Sequence, residues 1–104
     1  MTDLKLTKLC AEAMDLSIQQ ASTMPRKGYW CWELGRPYNP LHGDAQAMAL
    51  VKKFGLFCHL NRMAKLYMWC VKAQGTGNVR NADLNHAIVE CIAKMQQAKQ
   101  EGEK

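Results

Sequence analysis

The stretch from Tyr29 to Phe54, YWCWELGRPYNPLHGDAQAMALVKKF, constrains this chain more than any other, because strand, turn and helix signals follow one another inside it. Tyr29–Leu34 is dense in aromatics with high strand propensity. Alternation places Trp30, Trp32 and Leu34 on one face and Tyr29, Cys31 and Glu33 on the other. Gly35 closes the strand, and Pro37 denies any ladder an amide donor. Asn39-Pro40 reads as an N-cap followed by proline at the first helical position, and Gly43-Asp44 offers a restart with Asp44 as a second cap. Ala47, Met48, Val51 and Phe54 then fall at helical spacing. Gly55 stands where a left-handed C-cap is expected.

The flanks read as packing for this centre. Leu6, Leu9, Cys10, Ala13 and Met14 form an apolar stripe extending to Ser17-Ile18, with Lys5, Lys8, Glu12 and Asp15 largely off it. The spacing predicts a first helix over residues 3–20, capped by Thr2 or Asp3. Residues 21–28 read as a loop, where Pro25 pushes Met24 out of helical geometry. Leu56–Asn61 and Lys65–Ala73 read as two strands whose short Arg62-Met63-Ala64 connection forces an antiparallel hairpin. Both faces of the second are apolar, so it is central or its sheet is covered on both sides. A loop at Gln74–Asn78 follows. Asn81 or Asp83 caps a last helix with an apolar stripe of Leu84, Ala87, Ile88, Cys91, Ile92, Met95 and Ala98, and the polar stretch from Gln96 frays.

The expected fold is therefore α+β, in the order α-β-α-β-β-α. A three-stranded, mainly antiparallel sheet lies in a helix/sheet/helix sandwich. At 104 residues the chain makes one domain, with a core over 3–98 and a polar tail at 99–104. Its apolar content of 48% argues for a folded domain over disorder. No apolar run is long enough to span a membrane, and the acids at Asp3 and Glu12 exclude a signal peptide. The five cysteines (10, 31, 58, 70 and 91) sit singly in apolar patterns with no C-x-x-C, which reads as reduced, buried thiols in a cytosolic protein. The net charge of +5 is uneven: Met24–Ala82 carries nine Lys/Arg against Glu33 and Asp44 alone. That centre suits an acidic partner, either nucleic acid or an acidic protein surface.

The tryptophan-rich strand, the Asn39-Pro40-Leu41 turn, the acid and Ala45 opening a helix that ends Lys-Lys-Phe-Gly, the hairpin, and Asn85-His86-Ala87-Ile88-Val89 on the last helix form a recurrent pattern. Over residues 29–98 it resembles a large group of small bacteriophage proteins carrying the phage ABA-sandwich domain. The resemblance implies a three-layer sandwich and a phage or prophage origin. It supplies no catalytic residues and no cofactor.

No residue set amounts to a catalytic or metal-site signature. Cys58 and His59 are adjacent and so point to opposite strand faces, while His42 and His86 lie in a turn and near a helix start, which does not make a zinc site. Cys31, close to Arg26 and Lys27, is the best nucleophile candidate but reads as a buried thiol. The Gly75-Thr76-Gly77 loop lacks the length and lysine of a phosphate cradle. Arg26, Lys27, Tyr29, Trp32, Arg36 and Tyr38, with Lys65, Tyr67, Trp69 and Lys72, interleave cations and aromatics as single-strand platforms do. With helices expected on both sheet faces these aromatics read as core, Arg36 and Tyr38 being the exposed exceptions.

The expected function is a non-enzymatic phage accessory protein that binds a host macromolecule in the host cytoplasm, in the form of an inhibitor of a defence protein such as an anti-CRISPR. The alternative is a basic nucleic-acid-binding module. The expected binding surface is Tyr38 as aromatic anchor, ringed by Arg36, Lys52 and Lys53, with Arg26 and Lys27 nearby. No metal, cofactor or membrane partner is expected.

Overall fold

The computed structural model describes residues 2–21, 28–63, 66–73 and 79–102. Its order is α1 (Asp3–Ala13), β1 (Ile18–Ala21), β2 (Gly28–Cys31), β3 (Arg36–Tyr38), α2 (Asp44–Phe54), β4 (Phe57–Met63), β5 (Leu66–Lys72), β6 (Val79–Asn81) and α3 (Leu84–Gly102). The fold is α+β with antiparallel strands, as expected. It has two three-stranded sheets, β1-β2-β3 and β4-β5-β6, where one sheet between helix layers was expected.

The first sheet arises where the sequence pattern misled. The helix expected over 3–20 stops at Ala13. Thr2 caps its start, its hydroxyl oxygen accepting from the Lys5 amide at 3.2 Å. At its end Asp15 takes a left-handed φ of 57°, the Leu16 amide donates to the Ala11 carbonyl and the Asp15 amide to the Glu12 carbonyl. That is a Schellman stop with aspartate in the glycine position. The chain then runs out as β1, pairing Ile18 with Cys31 and Gln19 with Trp30. The strand expected over Tyr29–Leu34 also stops early, at Cys31. Trp32–Gly35 is a turn, Gly35 at φ 62° donating its amide to the Cys31 carbonyl, and β3 returns against β2. Pro37 sits in this short edge strand, where a missing amide donor is tolerated.

The second helix starts at Asp44, with Gly43 as its cap position. Asn39 acts through its backbone: its carbonyl accepts from the His42 and Gly43 amides, holding a turn at Pro40-Leu41-His42. Gly55 is the left-handed C-cap (φ 62°, ψ 46°), its amide closing on Val51. The buried side of α2 is Ala47 and Leu50, flanked by half-buried Val51 and Phe54, whereas Met48 faces outward. In the second sheet the hairpin forms as expected, in register from Phe57↔Lys72 to Met63↔Leu66. β5 is its central strand, because β6, a strand the sequence reading missed, pairs on its other side. The connections at 64–65 and 74–78 lie outside the described residues.

The last helix is the hub. Asp83 caps it, its carboxylate accepting from the Asn85 amide at 3.1 Å. Ala87, Ile88, Val89, Cys91, Ile92 and Ala93 are all buried, wrapping more than half its circumference. The helix α1, the helix α2 and the strands β5 and β6 all pack on it. It stays helical to Gly102, past the expected fraying point at Gln96. Cys58, Trp69, Val71 and Val79 turn one face of the second sheet to the core. On the opposite face Phe57, His59, Lys72 and Arg80 are exposed, while Cys70 at its centre is buried. Among the described residues no helix is long and apolar enough to cross a membrane.

Candidate functional site

A cleft of about 190 Å³ opens where the end of α1, the β2–β3 turn and α2 meet. Met14 and Leu16 form one wall and Leu34 the lip. Arg36 and Tyr38 come from β3, and Ala45, Gln46 and Ala49 from α2. Apolar side chains thus line most of it, with one guanidinium at the rim.

Two sets of hydrogen bonds fix the walls. Gln46 bridges α2 to β3: its Oε1 accepts from the Asn39 amide at 2.6 Å and its Nε2 donates to the Pro37 carbonyl at 3.0 Å. Glu33 ties the turn to the segment after α1, its Oε2 accepting from the Ser17 amide at 2.9 Å and from the Cys31 thiol at 3.5 Å. The Trp32 amide donates to the Ser17 carbonyl at 3.1 Å. The bonds from Ser17, its side chain foremost, hold the Glu33 carboxyl below the usual carboxylate range.

The expected binding residues divide. Arg36 is exposed on the cleft wall, and Lys52 and Lys53 are exposed in the last turn of α2, where cations suit the helix dipole. The Lys53 ammonium lies 5.7 Å from the centroid of the Phe54 ring. None of the three has a carboxylate partner within salt-bridge distance among the described residues. Arg26 and Lys27 lie outside the described residues. Tyr38 is not the exposed anchor expected: it is only 3% exposed. Its phenol is pushed up, first by burial and then by the neighbouring Cys10 and Cys31 thiols, and its hydroxyl has no hydrogen-bond partner among the described residues. As the last residue of β3 it points inward and forms the cleft's floor, because the turn ends before it and the strand resumes.

The residues the sequence reading missed are Trp32, 63% exposed, and Leu34, 42% exposed. Alternation put both on one strand face, and Trp32 read as core. The turn lifts them clear, with the Trp32 ring edge-on to Trp30 at 6.5 Å. The Trp-Glu-Leu-Gly sequence, a glycine four residues after the strand's last buried side chain, was the available signal. Met48 on α2 is also exposed, at 45%, but does not line the cleft.

The other candidates stay apart. Cys31 is fully buried and faces a carboxylate. His42 and His59 are exposed in separate segments, and His86 Nδ1 meets the Asn81 side-chain Nδ2 at 3.1 Å and the Glu90 carboxylate at 3.7 Å. Among the described residues no three His, Cys, Asp or Glu side chains come together to hold a metal ion. No protein-family model matches the chain, and neither a curated protein nor a solved structure matches it significantly.

Proposed function

We propose that this protein works without chemistry of its own, by docking an acidic partner protein against the cleft, with Trp32 as the anchor. The observation that carries this is the exposure of Trp32 and Leu34 on a turn pinned at both ends. Leu34 at the lip of the cleft and Trp32 two residues before it offer large apolar area for burial, and tryptophan dominates the energy of such interfaces. Arg36, Lys52 and Lys53, without carboxylate partners among the described residues, select acidic residues flanking the partner's apolar segment. The resemblance of residues 29–98 to phage ABA-sandwich proteins supports a phage protein acting in the host cytoplasm, as an inhibitor of a defence protein such as an anti-CRISPR. That step is analogy from sequence motifs and rests on no site.

The test begins with a pull-down from host lysate and continues as titration calorimetry on the recovered partner. Trp32→Ala should weaken the complex by at least about thirtyfold, as expected of a hot-spot residue. Arg36→Glu should weaken it further and remove most of its salt dependence. A partner bound equally well by Trp32→Ala and by Leu34→Ala would exclude the cleft.

A further inference from the structure

The face of the second sheet turned away from α3 presents a second surface that shares no residue with the cleft. Cross-strand partners share a face. Cys58, Val71 and Val79 look to the core, and Leu60 and Trp69 are cross-strand partners on that same side. The alternate set looks outward: Phe57 beside Lys72, and His59, Cys70 and Arg80 in one row across all three strands. Phe57 is 66% exposed, the most exposed of the large apolar side chains among the described residues, and His59, Lys72 and Arg80 are exposed with it. Cys70 lies flat and buried between them.

The charge of this surface has one sign. β4, β5 and β6 contain no aspartate or glutamate. Neither Lys72 nor Arg80 has a carboxylate within salt-bridge distance among the described residues. Among the described residues the exposed side chains of this face are one aromatic ring amid basic and polar groups. A polyanion with flat, stackable groups would find a ring for a base, a row of donors for phosphates, and no repulsion.

We propose that this face binds single-stranded nucleic acid, a base stacking on Phe57 while Lys72, Arg80 and His59 contact successive phosphates. Base stacking on an aromatic side chain is tolerant of sequence, because every base has a π-face. An open β-sheet with exposed aromatics is a recurrent platform for such strands. A duplex, with its bases already stacked, offers Phe57 nothing. One ring and two permanent cations make a small site, so binding is modest and salt-sensitive. Two neutralised phosphates give a slope of log K against log salt of roughly −1.4 for a single strand.

Fluorescence anisotropy of a short labelled oligo(dT), titrated with the full chain at low and near-physiological salt, tests this, with a duplex of equal length alongside. The single strand should bind better than the duplex. Phe57→Ala should weaken binding roughly five- to hundredfold, the range for loss of one stacked base. Lys72→Glu with Arg80→Glu should abolish it, and Trp32→Ala should leave it unchanged. All these residues are exposed, and circular dichroism verifies that each variant folds. Equal affinity for duplex and single strand, or wild-type binding by Phe57→Ala, would overturn the proposal. So would the absence of binding at low salt. None of these results bears on the cleft, whose test turns on Trp32.

Discussion

At the scale of single residues, two aromatics exchange the roles their neighbours in sequence suggest. Tyr38 follows a proline in a polar turn, yet its ring is buried and its hydroxyl lies near two thiols. Trp32 sits mid-way along an apparent strand, yet is largely exposed. Both follow from where the strand breaks. The thiols behave more simply. Cys10, Cys31, Cys70 and Cys91 are buried, and only Cys58 is partly accessible. The Cys10 thiol donates to the Val89 carbonyl at 3.3 Å, and its pKa is pushed up to about 12, by burial first and by Cys91 second. A thiol that ionises readily only when unfolded makes the unfolded state lose its proton first. The stabilisation is therefore complete below the ordinary thiol pKa of about 8.5 and is lost as pH rises from there towards 12. The urea midpoint should fall across that alkaline window, and less steeply in Cys10→Ala. Native alkylation near pH 8 should reach Cys58 first; labelling of Cys10 at the same rate would refute its burial.

At the scale of elements, local signals carried through and pairings did not. Asp83 illustrates the first. An acid two residues before Asn85 can accept only from the opening amides of the helix, and it does. Asp83→Ala should cost about 0.5–2 kcal/mol in urea unfolding, with Asp83→Asn much closer to wild type. Equal costs for the two would show that charge, and not the hydrogen bond, matters there. The Gly55 cap, the β4–β5 hairpin and the α3 stripe were legible for the same reason, since each depends on residues close in sequence. β1, β3 and β6 were not. Each has at most four residues and is defined by a partner strand that periodicity cannot see. The end of α1 was hidden because Asp15 takes a left-handed conformation for which glycine is the usual marker. Of the expected site, Arg36, Lys52 and Lys53 were legible because charged side chains stay in water wherever the chain goes. Which aromatic is exposed was not, since a turn of four residues decides whether Trp32 or Tyr38 is outside.

At the scale of the whole molecule, α3 organises the domain and the first sheet is attached more lightly. Ile88 and Ile92 are fully buried on the helix that receives α1, α2, β5 and β6. Ile92→Ala should therefore cost about 2–5 kcal/mol, a large part of the stability of a domain this size. The first sheet enters the core through Cys31, Tyr38 and a partly buried Ile18, while its outer strands β1 and β3 have four and three residues. Few buried contacts and short edges favour local opening without global unfolding. Hydrogen exchange separates the two behaviours. Amides of β5 and the middle of α3 should exchange only through global unfolding, and so accelerate in Ile92→Ala by the full loss of stability. Amides of β1 and β3 should exchange faster in the wild type and respond little to the same substitution. Such opening would let the Trp32 turn adjust to a partner while α3 and the second sheet hold still. Acceleration of β3 in parallel with α3 would show instead that the first sheet opens only with the whole domain, and the cleft would then meet its partner as a rigid surface.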